Sequence, residues 1–283
     1  AGAETKTLHA QLKKLFHDHF GSVAATTIIG AITDILRNAY TRVLDIDKAM
    51  TELRKVTDLT EASYRKFGDT AAAVAREVGG TIADTINATA DFARLGFSVN
   101  EATELAKAAM IYKNVGDGIE DISQASESII STIKGFGLEA NDAMGIIDKF
   151  NEVGNKYAID SVGIGEALKR SAAALSAANN TLDESIALVT AANNVIQDPD
   201  VVGTAMKTMS MFLRAAKTEA EEAGIETEGM ANSVSELREE IKQLTGIDIM
   251  IDDATFKSTF QILQDISRIW NDLADVDQAN IAE

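Results

Sequence analysis

Apolar and polar residues alternate along this chain with helical spacing, and the pattern is broken at short intervals by residues that end helices. Gly96-Phe97-Ser98-Val99-Asn100-Glu101-Ala102 recurs about 41 residues later as Gly137 to Ala143, and again in altered form as Asn179 to Ser185. In each copy a Gly or Asn that tolerates a left-handed backbone ends one helix, and an acidic residue at the third helical position begins the next. The pattern predicts two-helix units stacked in an array.

The apolar positions of the three copies also correspond. Equivalent positions carry apolar side chains at helical spacing: Val99, Ala140 and Leu182; Leu105, Ile146 and Leu188; Ala106, Ile147 and Val189. We expect these side chains to be buried between neighbouring units, because a helix in a folded domain buries one apolar stripe.

Start and stop signals divide the whole chain into helices. Ser98 with Glu101 and Thr181 with Glu184 have the spacing of capping boxes, and Asp198-Pro199 is a helix start. The segment 247–251 is either a short strand or a buried turn. The predicted helices are 6–16, 23–56, 60–78, 81–96, 98–114, one ending at 136, 140–157, 162–178, 181–197, 198–224, 233–245 and 253–278.

Composition agrees with an all-α fold. The chain of 283 residues has one proline, 5% aromatic residues and no cysteine, so disulfides are excluded. We therefore predict a multi-helix array of short antiparallel helices, partly repetitive in units of about 41 residues, with one long N-terminal helix. Three regions are expected: an N-terminal helical region 1–78, a helical repeat domain 79–224, and a C-terminal helical segment 225–283 that is cut from a longer protein.

The net charge of −18 is concentrated in the second half, where residues 141–283 carry −14 and residues 1–140 carry −4. An acidic chain repels nucleic-acid phosphates and anionic lipids, so we expect no direct nucleic-acid binding. The acidic residues are most simply solvated helix faces.

Residues that carry chemistry are scarce. His9, His17 and His19 all lie near the beginning, and a histidine pair two residues apart points to different faces of a helix, which disfavours a metal site. Gly116-Asp117-Gly118 and Gly163-Ile164-Gly165 lack the remaining features of a phosphate loop, so both are interpreted as helix punctuation. We predict no catalytic residue, no cofactor and no metal site, and hence no enzyme.

Two further features concern packing. The methionines at 206–211 are either an adaptable binding surface or ordinary core filling, and core filling is favoured. Trp270 lies on an apolar face and is interpreted as a packing anchor. Residues 224–233 are the best candidate for a loop or boundary.

Several segments carry a further signal, at residues 44–58, 92–96, 101–109, 114–118, 171–178, 237–242, 256–259 and 262–266. Together they resemble the conserved domain of bacteriophage tail tape-measure proteins, over roughly residues 40–283. The family has no catalytic signature at these positions.

The resemblance implies a structural virion protein that acts in tail assembly and length determination and leaves the tube at genome ejection. It implies tail-tube and tail-assembly-chaperone proteins as partners, self-association, and a location in the tail lumen of the virion, with the host cytoplasm as the site of assembly. A stand-alone α-solenoid that binds a partner protein is the alternative. Transient membrane contact through residues 21–36 also stays open. Because stops and caps are frequent, we expect a compact domain attached to a longer measuring region.

Overall fold

The computed structural model describes residues 22–282, and side chains from residue 33 to residue 281. Within this range the chain forms thirteen α-helices and no strand, which confirms the all-α multi-helix array. The helices are α1 Ser22–Val56, α2 Glu61–Val78, α3 Ile82–Arg94, α4 Val99–Val115, α5 Ile122–Phe136, α6 Ala143–Gly154, α7 Ser161–Ala177, α8 Leu182–Ile196, α9 Pro199–Phe212, α10 Lys217–Glu222, α11 Val234–Thr245, α12 Thr259–Ile269 and α13 Asp275–Ala282. The expected helix 6–16 and the three histidines lie outside the described residues.

The long N-terminal helix is confirmed, and α1 spans 35 residues. Its C-terminal part packs against α2 and α3, in a cluster that buries Ala49, Leu53, Tyr64, Phe67, Ala71, Ile86 and Ala90. The Tyr64 hydroxyl donates to the carbonyl oxygen of Thr57 at 2.9 Å and fixes the link between α1 and α2. This cluster joins the long helix to the repeats, while the division into three domains stays a prediction.

The repeated stop-and-start signal has the expected backbone. Gly96, Gly137 and Asn179 all adopt positive φ, at 89°, 64° and 61°. Ser98 with Glu101 and Thr181 with Glu184 form reciprocal capping boxes. In the second copy a 3₁₀ turn, Ala140–Asp142, precedes α6 and is capped by the Asp142 carboxylate, which accepts from the Glu139 backbone N–H at 2.9 Å. Each unit thus begins with the same kind of local hydrogen bond.

The equivalent apolar positions are buried as expected. Leu105, Ile146 and Leu188 are at most 8% exposed, and Ala106, Ile147 and Val189 are at most 1% exposed. Val99, Ala140 and Leu182 are half-buried. All of these side chains contribute to or pack against one continuous core that runs from α3 to α9, apart from Val99, which packs on the neighbouring α1–α3 cluster.

The second helices of successive units, α5, α7 and α9, pack directly on one another, and α3 lies beside α5. Small residues allow the close approach. A Cβ atom placed on Gly203 of α9 would lie 2.5 Å from the carbonyl oxygen of Ala167 on α7 and 2.9 Å from its Cα. A Cβ atom on Gly135 of α5 would lie 2.5 Å from the Ala172 Cβ on the same central helix. The helix α7 therefore has close backbone neighbours on two sides.

This packing corrects the interpretation of Gly163-Ile164-Gly165 as helix punctuation. The three residues are buried inside the first turns of α7, after the N-cap Asp160, whose carboxylate accepts from the Gly163 N–H at 2.7 Å. Gly165 lies against Ser128 of α5, where a side chain would collide with the serine hydroxyl. Gly116-Asp117-Gly118, in contrast, lies between α4 and α5 as expected.

The predicted helix 198–224 is also too long. Asp198 caps α9 as expected, but α9 ends at Phe212, and the six-residue α10 follows after a turn. Ala215 takes a left-handed φ of 49° in that turn, and the Ala216 N–H donates to the Met211 carbonyl at 3.0 Å. The sequence does not predict that α9 ends here, because alanine is the best helix former and rarely adopts left-handed φ.

The predicted helix 253–278 is three elements in the structure. It begins only at Thr259, after a capping box of Ser258 and Gln261, and a 3₁₀ turn, Trp270–Asp272, separates α12 from α13. At 247–251 the structure has a turn and no strand; Ile249 and Met250 are buried, Ile251 is exposed, and one isolated bridge joins Met250 to Phe256. The expected loop at 224–233 is present between α10 and α11.

The C-terminal segment docks where the third copy departs from the other two. Phe97 and Leu138 are apolar, but the equivalent Asn180 is polar and 5% exposed. Its side chain donates to the Leu175 carbonyl at 2.8 Å and accepts from the Phe260 N–H at 2.9 Å. The altered residue therefore connects the end of α7 to the first turn of α12.

We expect Gly203→Ala to destabilise the protein by about 1–3 kcal/mol, because α7 and α9 must move apart to admit a methyl group. The matched control is Gly68→Ala, since Gly68 lies inside α2 and an added methyl group there would have nothing within 4 Å. That change should stabilise by about 0.5–1 kcal/mol through helix propensity. Urea titration measures both, and equal effects of the two variants would contradict the close contact.

We expect Asn180→Leu, which installs the residue of the second copy, to cost about 1–3 kcal/mol, because a buried donor and acceptor lose their partner. Hydrogen exchange at the Phe260 amide should accelerate. Asn179→Gly is the control, since it keeps the left-handed turn and removes only the exposed side chain's bond to the Phe256 carbonyl. Unchanged protection at Phe260 in Asn180→Leu would refute this role.

Candidate interaction surfaces

A groove of about 900 Å³ lies between α9 and the C-terminal helices. Its lining is mainly apolar, and the side chains come from α9, α11, α12 and α13, including Val201, Met209, Leu237, Ile241, Leu263 and Ile281. Arg170 and Asp200 stand at one side and form an ion pair with a 2.7 Å contact. A concave apolar surface of this size is suited to the apolar face of a helix or a comparable ligand.

The methionines at 206–211 are interpreted either as core filling or as a binding surface, and the structure shows both positions. Met206 is 5% exposed and belongs to the main core, which is the favoured core-filling role. Met209 packs on that core from the outside and also lines the groove. Trp270 packs against a separate C-terminal cluster of Ile249, Met250, Ile262 and Ile266, which confirms its interpretation as a packing residue.

An ion pair holds the α11 side of the groove to the buried turn that follows it. Arg238 of α11 donates to both carboxylate oxygens of Asp248, at 2.8 and 2.7 Å, and the same carboxylate accepts from the Met250 N–H at 3.0 Å. The hydrogen bonds from Arg238 and then from Met250 lower the pKa of Asp248 to about 2. The charged form of Asp248 thus stabilises the arrangement of α11.

The opposite side of the turn is held by Arg214. Its guanidinium lies 4.2 Å above the centroid of the Phe256 ring and donates to the Lys257 carbonyl at 3.4 Å. Burial lowers the pKa of Arg214, and the aromatic face compensates part of the lost hydration. The next residue, Ala215, has a left-handed backbone. The turn that ends α9 therefore places Arg214 against the C-terminal turn.

Buried ionisable chemistry is sparse along the described part of the chain. Tyr112 is buried, and its hydroxyl donates to the Ser161 carbonyl at 2.6 Å; burial raises its pKa. Its ring meets Phe150 edge-on at 6.0 Å, so it links α4, α6 and α7 as a packing residue. Among residues 33–281 no three His, Asp or Glu side chains are grouped to hold a metal ion.

None of the helices in the described range combines the length and the apolar character that a bilayer span requires. Transient contact of residues 21–36 with a membrane surface is a different interaction, which needs no spanning helix, and it stays a prediction.

We expect Asp248→Asn to lower the melting temperature at pH 7 and to lose this effect in acid. A carboxyl whose pKa is lowered by folding stabilises above its unfolded pKa of about 3.9, and the contribution disappears as the pH falls towards about 2. The melting temperatures of the two proteins should therefore converge between pH 5 and pH 2. Asp253→Asn is the control, because Asp253 is fully exposed beside Arg238. A constant difference down to pH 2 would refute the assignment.

The chain is similar to a tail protein of a bacteriophage. A stretch of 158 residues is 25% identical to a protein named tape measure protein of Pneumococcus phage Dp-1. The matched stretch covers 54% of this chain and 14% of that protein. The chain therefore spans only a small part of the length of this relative. No solved structure matches the chain.

The family comparison covers more of the fold. The model of the family described as phage-related minor tail protein matches residues 69–283, which include the second half of α2, all of α3 to α13, the groove and the three repeat copies. Since this range is most of the chain, the protein belongs to the phage-related minor tail protein family.

Proposed function

We propose that this chain is a folded segment of a tape-measure protein, a structural component of the phage tail. The observation that carries the proposal is the family match over residues 69–283, which coincides with the helical array. In this role the protein acts in tail assembly and length determination and leaves the tube at genome ejection. It occupies the host cytoplasm during assembly and the tail lumen in the virion, and its role is structural, without catalysis.

Helix geometry distinguishes a measuring region from a compact domain in such a protein. A continuous helix adds about 1.5 Å per residue, so 283 residues in one rod would extend for roughly 425 Å. Here the helices after α1 are 6 to 18 residues long and are separated by caps and turns. This arrangement supports a compact domain joined to a separate measuring region.

Small-angle X-ray scattering tests the compact state. A compact chain of this length has a radius of gyration near 19 Å, to which the exposed residues 34–45 of α1 add a limited extension. A maximum dimension of several hundred ångströms would contradict the proposal, since only an extended rod reaches that length.

The apolar groove is the surface that we expect a helical tail partner to use. Its lining is mainly apolar, as in grooves that bind the apolar face of an amphipathic helix, and the Arg170–Asp200 ion pair lies at its margin. Co-expression with the tail-tube and tail-assembly-chaperone proteins of the same phage should yield a complex. Failure to bind either protein would contradict the proposed partners.

Two valine variants locate the contact. Val201→Glu places a charge in the groove at a side chain that is 51% exposed, so the fold should be kept. Val195→Glu places the same charge on α8, outside the groove, at a side chain that is 85% exposed. We expect the first to weaken the complex at least about tenfold and the second to leave it unchanged.

A stand-alone α-solenoid that binds a non-tail partner is the second candidate. The close packing of α5, α7 and α9 in successive units favours it, because stacked two-helix repeats are typical of such binding proteins. It predicts no association with tail-tube or chaperone proteins, so the co-expression experiment separates the two functions.

A further inference from the structure

A cleft lies on the surface of the array, between the first helices of the second and third repeat units. The first helices α4 and α6 pack directly on each other, whereas α6 and α8 approach far less closely. The resulting α6–α8 cleft has a volume of about 390 Å³, and the ion pair of Lys149 and Asp183 bridges it. Its walls are mainly apolar and include Val153, Ile186 and Ala191. This volume is at the small end of the range for binding pockets and suits one large side chain.

The cleft also contains a polar side chain that has no partner in the described part of the chain. Thr190 lines the cleft and is 7% exposed, and its hydroxyl makes no hydrogen bond. Other buried threonines, such as Thr89 and Thr132, donate to the carbonyl oxygen four residues earlier at 2.8 Å. A buried hydroxyl without a partner destabilises the free protein. Thr190 therefore indicates that a molecule in the cleft supplies a hydrogen-bonding group.

Exposed apolar side chains flank the open end of the cleft. Tyr157 lines the cleft and is 56% exposed, and Val195, one turn beyond Ala191 on α8, is 85% exposed. The two sides are joined by Asn193, whose side-chain amide donates to the Ala158 carbonyl at 2.9 Å. The surface is consequently ordered before a partner binds, which lowers the entropic cost of binding.

Two carboxylates lie beyond this open end without a cation of their own. Asp160 and Asp198 are the N-caps of α7 and α9, and each lies three residues beyond one of the exposed apolar side chains. A Cβ atom on Gly163 would lie 3.0 Å from the Asp160 Oδ1 and 2.9 Å from the Pro199 Cγ, so the two caps are neighbours. Within residues 33–281 neither carboxylate forms an ion pair, unlike Asp200, which pairs with an arginine. Adjacent negative charges of this kind favour a cationic partner.

We propose that the α6–α8 cleft and its rim bind a basic segment of a partner protein through one tyrosine side chain. The tyrosine ring covers the apolar walls, and its hydroxyl forms a hydrogen bond with Thr190. Lysine or arginine residues beside that tyrosine lie near Asp160 and Asp198. This surface is separate from the groove beside α9, and the proposal does not depend on the proposed tail function.

Titration of the full chain with the peptide acetyl-Lys-Lys-Tyr-Lys-Lys-amide tests the proposal, with the methyl NMR signals of Ile186 and Val195 as the readout. We expect saturable shifts of both signals. Replacing the peptide's tyrosine by alanine should weaken binding at least about tenfold, because the cleft loses its occupant. No saturable shift at up to about 10 mM peptide, or equal binding of the alanine peptide, would overturn the proposal.

Thr190→Val tests the hydrogen bond, because it removes the unpaired hydroxyl and keeps the shape of the side chain. It should weaken the tyrosine peptide about threefold to tenfold and should not weaken a phenylalanine version, which has no hydroxyl to lose. Its melting temperature should not fall. The control is Thr132→Val, which loses a bond to the Ser128 carbonyl and should lower the melting temperature without changing peptide binding. Equal effects of Thr190→Val on the two peptides would contradict the contact.

The combined change of Asp160→Asn and Asp198→Asn tests the charge, since asparagine caps a helix as well as aspartate does. It should weaken the lysine peptide at least about threefold and leave acetyl-Ser-Ser-Tyr-Ser-Ser-amide unaffected. Equal losses for both peptides would overturn the assignment of a basic partner.

Val195→Lys and Val201→Lys distinguish the cleft from the groove beside α9. Both side chains are exposed, and only Val201 lines the groove. We expect Val195→Lys to weaken the lysine peptide and Val201→Lys to leave its binding unchanged. The reverse result would place the peptide in the groove and overturn the proposal, whereas the groove's own partner is tested separately by the co-expression experiment.

Discussion

The close approach of α7 to α5 and α9 is the contact on which the rest of the array depends. Glycine and alanine bring the helix backbones so near that a single added carbon on Gly203 would lie 2.9 Å from the Ala167 Cα. Small residues at such a contact allow extensive dispersion contacts between helices without large side chains. Because α7 meets both neighbours in this way, the spacing of the second helices in each unit is set by backbone contact, and the first helices cover the core beside them.

The third copy shows how a repeat is adapted to an end of the array. Asn180 replaces the apolar residue of the first two copies and receives the C-terminal segment through the Phe260 N–H. The Ser258 hydroxyl also donates to the carboxylate of Glu184, the same acid that completes the capping box of α8. The C-terminal helices consequently do not extend the array as another unit. They fold back and, with α9, enclose the apolar groove.

One apolar stripe of the long helix α1 is buried along part of its length and exposed along another part. At its C-terminal end the stripe is buried by the chain itself, in the cluster that includes Leu53 and Tyr64. Between residues 34 and 45 the same stripe is exposed. A helix of this length is not held by its own propensity alone, because most helix stability in water comes from tertiary packing of an apolar face. The packed end therefore anchors the helix to α2 and α3.

The sequence by itself determined the helical class, the long first helix, the two-helix units and most helix starts. These features depend on local chemistry: the left-handed Gly96, Gly137 and Asn179 and the capping boxes act within a few residues of one another. The stop of α9 at Phe212 was missed because Ala215 bears no local sign of its left-handed backbone, which its surroundings impose. The glycines of α7 were misinterpreted because their role lies in helices distant in sequence. Only the tertiary structure decided the groove and the docking of the last helices, since both arise from contacts such as Asn180 to Phe260, between residues 80 positions apart.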